Sequence, residues 1–239
     1  MPIELIIPLG AFLASFVVSA AGFGDALVLG AIWFQFMDPI EAVPLIVACG
    51  FAMHTLPLIK LRKDLDFSFL PIFAITGVIG VPLGVWFLSH IAPAPFRTGI
   101  GWFLIIYILF IFVMPNGLKI TAGGKVADGV VGFTGGVLGG FAGLSGVTPT
   151  LWAGLRDWSK PCQRGVYQPF CWLMHLVTFL WLAWQGMVTA ETFTRLLWAL
   201  PAIAVGTWLG LKVYRKLDDK RFRQLILGLI LVSGVTLIL

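Results

Sequence analysis

Gly129–Pro149 reads GVVGFTGGVLGGFAGLSGVTP, and eight of its first eighteen residues are glycine. The run lies where the flanking hydropathy calls for a membrane helix. Such a helix packs closely through its bare faces, because Gly132, Gly136 and Gly140 recur every four residues, as do Gly135, Gly139 and Gly143. It is also easily interrupted. Close packing is the expectation for Gly129–Gly140, and a helix break is the expectation from Gly143 onward. A weaker copy, SAAGFGD, occupies Ser19–Asp25.

Working outward, the whole chain has the composition of a bilayer protein. Hydrophobic residues make up 59% and charged residues 11%, against about 25% charged in a soluble domain. Segments without polar alternation exclude barrel strands. The polar stretches are too short for a catalytic domain outside the membrane. The fold class expected is all-α polytopic membrane protein, one transmembrane domain over residues 1–239. The N-terminal stretch resembles a signal peptide, but it carries Glu4 and no early Lys or Arg, so it reads as a retained first helix. Cys49, Cys162 and Cys171 have no metal spacing and read as small buried hydrophobes.

The hydrophobic segments are Ile3–Ala21, Ala26–Met37, Ile40–Leu61, Phe67–Ser89, Phe96–Met114, Val126–Ala142, Val147–Trp158, Arg164–Trp184, Thr192–Leu211 and Arg221–Leu239. Ala26–Met37 and Val147–Trp158 hold only twelve residues each, roughly 18 Å of helix against a hydrocarbon core of about 30 Å. Both follow a glycine break, so each is half of a discontinuous helix or one arm of a re-entrant hairpin.

The chain also matches itself. Gly22 pairs with Gly143, and Met53-His54 with Met174-His175, at an offset of 121. Beyond a five-residue insertion the offset is 126, pairing Phe67 with Phe193, Gly80 with Gly206, Gly84 with Gly210 and Phe96-Arg97 with Phe222-Arg223. The expectation is two repeats, about 3–114 and about 126–239, each a broken helix pair followed by three spanning helices. Fourteen of the 16 Lys and Arg residues fall in four regions that crossing counts put on one side, which is then cytoplasmic. Each half makes an odd number of crossings. The repeats are therefore expected to be inverted, with both termini periplasmic.

The chemistry expected follows from the breaks. A helix that restarts inside the membrane offers unpaired N–H groups and the positive end of its dipole to an anion. Gly22, Phe23 and Gly24 in the first break, and Gly143, Leu144, Ser145, Gly146, Val147 and Thr148 in the second, are candidate substrate-binding residues. Ser145, Thr148 and Thr150 would add hydroxyl donors. His54 and His175, at equivalent positions on long helices, could face one cavity. Either could instead be a packing histidine. Asp25 is a candidate for coupling, since an intramembrane carboxylate is costly, or simply the N-cap of the short helix from Ala26. Arg164 and Gln168 are candidates for gating, with Arg164 favoured as a basic anchor at the cytoplasmic interface. The histidines have no carboxylate cluster in the sequence around them, so no metal, cofactor or catalytic group is expected. The residues support an anion site without a buried Lys or Arg.

The motifs GFGD and GLSGVTP, KPCQRG at the opening of the next helix, and GVPLG and GTWLG at matching positions resemble the sulfite exporter TauE/SafE family, also called the toluene-sulfonate uptake permease family. The resemblance spans essentially the whole chain. It implies a multi-pass protein of the bacterial inner membrane that carries sulfite or small sulfonates, often as an exporter. It carries over to Gly22, Gly24, Gly143, Ser145, Gly146 and Pro149. Asp25 and Ser145 depart from the family's more glycine-rich breaks.

The function expected is therefore a secondary transporter, proton-coupled and working by alternating access. Its partners would be a small anion and the lipid bilayer, with no nucleic acid, in a monomer or homodimer. A passive anion channel and an intramembrane enzyme are the alternatives.

Overall fold

Helix α1 (Ile3–Ala21) stops because Gly22 turns left-handed, with φ 90°, and Gly24 repeats the turn at φ 100°. Only glycine adopts these angles without strain. Helix α2 (Asp25–Trp33) then begins, and it has nine residues. It runs back along α1: the Trp33 indole N–H donates to the Ile6 carbonyl at 3.4 Å. The second glycine run behaves alike. Helix α6 (Gly124–Ala142) ends at Gly143, φ 76°, and α7 (Val147–Leu155) follows, again with nine residues. Trp152 of α7 donates to the Asp128 carboxylate near the start of α6 at 2.7 Å, and the Ile120 N–H donates to the Leu155 carbonyl at 2.8 Å. Both short helices are thus three residues shorter than the sequence segments suggested, and each folds back beside its predecessor.

The computed structural model describes residues 2–61, 63, 65–113, 120, 122–156, 158–213, 231 and 234–238. The remaining long helices are α3 (Pro39–Leu61), α4 (Leu70–His90), α5 (Pro93–Val113), α8 (Lys160–Trp184) and α9 (Ala190–Val213). Among the described residues six helices, α1, α3, α4, α5, α8 and α9, are long and apolar enough to cross a membrane. No strand occurs among the described residues. The protein is an all-α, polytopic membrane protein. Most of the last expected segment, with its match of Phe222-Arg223 to Phe96-Arg97, lies outside the described residues. So do Arg62, Lys119, Arg215, Lys216, Lys220, Arg221 and Arg223.

Two seams hold the bundle, α4 against α6 and α1 against α9. In the first, the backbones touch. A Cβ on Gly136 would lie 1.9 Å from the Gly77 carbonyl oxygen, and one on Gly80 would lie 2.3 Å from the Phe133 carbonyl oxygen. In the second, a Cβ on Gly206 of α9 would meet the Phe12 carbonyl oxygen of α1 at 2.6 Å, and one on Gly210 would meet that of Phe16 at 2.5 Å. The close-packing reading of Gly129–Gly140 holds. With little hydrophobic drive between helices in lipid, such contact supplies the dispersion energy of association.

Between the seams lie α3 and α8, packed on each other and largely buried. Outward-facing residues such as Ile75, Ile79, Ile106 and Val113 are exposed and apolar, as a lipid-facing surface requires. At one end, Arg97 pairs with Asp38 at 3.3 Å, and Arg195 pairs with Glu41 at 2.8 Å and with Glu191. Arg97 and Arg195 are the two of the 16 Lys and Arg residues that lie outside the four basic regions. At the other end, Phe69 stacks on Trp158 with ring centroids 4.5 Å apart.

The seam generates a pair of stability predictions. Gly136→Val must displace backbone, so it should destabilise by about 1–3 kcal/mol or more, as an overpacked core does, read as a lower thermal midpoint in detergent. Gly99→Ala meets nothing within 4 Å and should be neutral or stabilising by up to about 1 kcal/mol. Equal effects would contradict the seam. The hairpin gives a second test. Trp152→Phe leaves the buried Asp128 oxygen without its indole donor and should cost about 1–3 kcal/mol, whereas Asp128→Asn, which keeps an acceptor, should cost less.

Candidate functional site

Three buried polar side chains meet beside the first break. Asp25 is the first residue of α2, and its side chain points into the bundle, 4% exposed. Room for the carboxylate comes from Gly50 of α3, where a Cβ would lie 2.8 Å from Asp25 Oδ2 and 2.6 Å from the His175 ring. His54 follows Gly50 by one helical turn and shares its face. His175 reaches the same point from α8. His54 Nε2 lies 3.4 Å from Asp25 Oδ1, and His175 Nε2 lies 3.6 Å from Asp25 Oδ2. The two imidazole centroids are 5.6 Å apart. The histidines are 0% and 1% exposed.

His175 also touches the second break, since its Nε2 lies 3.3 Å from the Gly143 carbonyl oxygen. One imidazole therefore contacts both glycine interruptions. The breaks lean on the opposite long helices too: Gly22 faces the Tyr167 hydroxyl of α8, and Gly143 faces Ile46 of α3. Phe23 sits edge-on to Tyr167, ring centroids 6.3 Å apart. Leu144 and Val147 are buried, and Ser145 is fully buried with Cys171 as a polar neighbour. Gly146 precedes α7 in a right-handed conformation, φ −75°, and a Cβ there would meet the Cys171 sulfur at 2.9 Å.

Several expectations need correcting. Asp25 is not the N-cap of α2: Gly24 is, and the carboxylate faces the histidines instead. His54 and His175 do have a carboxylate between them. The ligand-capable atoms of Asp25, His54 and His175 lie within 4.8 Å of one another, a spacing at which a metal ion can be held, although no local sequence motif signalled it. Thr148 is not an available donor, because its hydroxyl donates to the Val131 carbonyl at 3.1 Å. Arg164 is not an interfacial anchor. It lies one turn inside α8, 6% exposed, with its Nε donating to Gln168 Oε1 at 2.8 Å. With Arg195 also buried, the bundle does contain buried arginines. Cys49, Cys162 and Cys171 are free and buried, as small hydrophobes would be.

Sequence reasoning missed Gly50 and Asp128. Gly50 had a usable signal, since it lies four residues before His54 and 121 before Cys171. Asp128 had none, because its partners Trp152, on α7, and Arg156, just past its end, lie 24 and 28 residues away in the chain. Two surface grooves, one lined by Ile72, Lys125 and Phe133 and one by Trp86, His90 and Phe141, lie on the outer face of α4 and α6, away from the cluster. The cluster itself is sealed from solvent.

No curated protein and no solved structure matches the chain. Residues 7–237 match the family described as sulfite exporter TauE/SafE. Together with six membrane-length helices, this match places the chain among multi-pass transporters of small anions rather than enzymes. The chain belongs to the sulfite exporter TauE/SafE family.

Proposed function

We propose that the chain exports sulfite or a C2 sulfonate across the bacterial inner membrane by alternating access around the point where the two breaks meet. The observation that carries this reading is the contact of His175 with both Asp25 and Gly143. In this reading Gly22–Gly24, His54, Gly143–Val147 and His175 hold the anion. Asp25, Arg164 and Gln168 take the coupling and gating roles. Protons supply the energy, both termini are periplasmic, and the working unit is a monomer or homodimer.

The inverted repeats, about 3–114 and about 126–239, belong to the same reading. Paired contacts support them. Gly80 meets Phe133 and Val137, while Gly206 meets Phe12 and Phe16. These are the same contacts at offsets of 126 and 121. Gly22 with Tyr167 and Gly143 with Ile46 are likewise one contact with the halves exchanged. Contacts that swap in this way are what a pseudo-two-fold axis produces. The folding back of α2 and α7 favours re-entrant hairpins, and so three crossings per half. Sealing of the cluster favours a carrier over an open channel, since a sealed site must move to be reached.

The test is reconstitution in proteoliposomes with labelled sulfite and C2 sulfonates, with and without an imposed pH gradient. Saturable, gradient-dependent flux is expected, and linear flux indifferent to the gradient would overturn the reading. His175→Ala should lower the initial rate at least tenfold, about 1.4 kcal/mol, in protein that still runs as a folded peak. His90→Ala, on the outer face, should leave it unchanged.

A further inference from the structure

Asp25, His54 and His175 present more buried polar atoms than they satisfy. Asp25 Oδ2, both ring nitrogens of His54 and His175 Nδ1 are buried without a hydrogen-bond partner. Buried polar groups are nearly always paired, so four orphans around one point require a reason. They lie within ion-pair distance of one another, but without close hydrogen bonds. The His54–Asp25 and His175–Asp25 separations of 3.4 and 3.6 Å exceed the usual hydrogen-bond range and fail its geometry.

The 3.4 Å between His54 Nε2 and Asp25 Oδ1 does fit a different arrangement. Ligand atoms about 2.0–2.1 Å from a tetrahedral metal lie about 3.3 Å from one another. All three side chains offer a ligand atom within 4.8 Å of the others. We infer that one carboxylate oxygen of Asp25 and one ring nitrogen each of His54 and His175 form a binding site for a divalent transition-metal ion of the Zn2+, Co2+ or Ni2+ class.

Two imidazoles and one carboxylate suit a borderline ion and leave coordination positions open. Ca2+ and Mg2+ are disfavoured, since they want six or more oxygens. The charge also works. The ion neutralises a carboxylate that is otherwise buried beside two imidazoles. The Gly143 carbonyl lies 3.3 Å from His175 Nε2, so it can accept from that nitrogen and hold the ring, leaving Nδ1, buried without a hydrogen-bond partner, as the ligand atom. His54 has no such support. The absence of an outer-shell partner lowers affinity about 10–100-fold, so the site should be weaker than a structural zinc site. A bound ion would tie α2 and α3 to α8, and protons would compete with it for the same atoms.

The inference rests on the geometry of the cluster and stands whether or not the chain carries sulfite. Its test is Zn2+ titration by calorimetry of full-length, chelator-stripped protein purified without a histidine tag. The Co2+ absorption spectrum and zinc-edge X-ray absorption supply independent readouts. One saturable equivalent per chain is expected, with two imidazoles and a carboxylate around the ion. His54→Gln and His175→Gln should each weaken binding at least tenfold, and His90→Ala should leave it unchanged. No saturable binding, or binding indifferent to both glutamine variants, would overturn the site. If either variant fails to fold, the wild-type zinc-edge spectrum decides alone, and an all-oxygen or thiolate shell would refute it.

Discussion

A carboxylate inside a membrane bundle constrains everything around it. Placing ionised Asp25 at the centre of a spanning helix would cost about 2.5–3.5 kcal/mol on insertion scales. The structure meets that constraint by three local choices. The chain breaks at Gly22 and Gly24, so Asp25 starts a helix and sits at its positive end. Residue 50 is glycine, so the carboxylate has room. Two imidazoles from different helices then face it. Remove any of these and the carboxylate is either clashing or unaccompanied.

The second break shows what the same frame does without a carboxylate. The counterpart of Asp25 at offset 121 is Gly146, and the counterpart of Gly50 is Cys171. Gly50 makes space for Asp25, and Gly146 makes space for the Cys171 sulfur. The volume beside the histidines is filled both times. In one half the break fills it with charge, and in the other the long helix fills it with a thiol. The two histidines meet between these differently filled volumes, 5.6 Å apart between ring centroids.

Legible in the sequence was whatever repeats along one helix or along the chain. The four-residue glycine spacing marked a close-packing face on α6 but not its partner α4, and Gly22 and Gly143 marked where α1 and α6 stop. The offset of 121 by itself tied His54 to His175, which meet in the fold. Contacts between helices far apart in sequence left no such trace. Nothing near Asp25 says that its carboxylate turns away from the N-cap role toward residues 29 and 150 positions away. Thr148 looked like a donor because its bond to the Val131 carbonyl depends on how α7 folds back. Arg164 looked interfacial because charge near a segment end usually is, yet its partner Gln168 lies one turn deeper on the same buried face.

The central claim is that both breaks and both histidines build one site. A density map of the protein with sulfite bound tests it most directly. The account predicts an anion between Gly22–Asp25 and Gly143–Val147, within about 4 Å of His54 or His175, the range of direct contact. An anion more than about 8 Å from both breaks, two contact distances away, would contradict it.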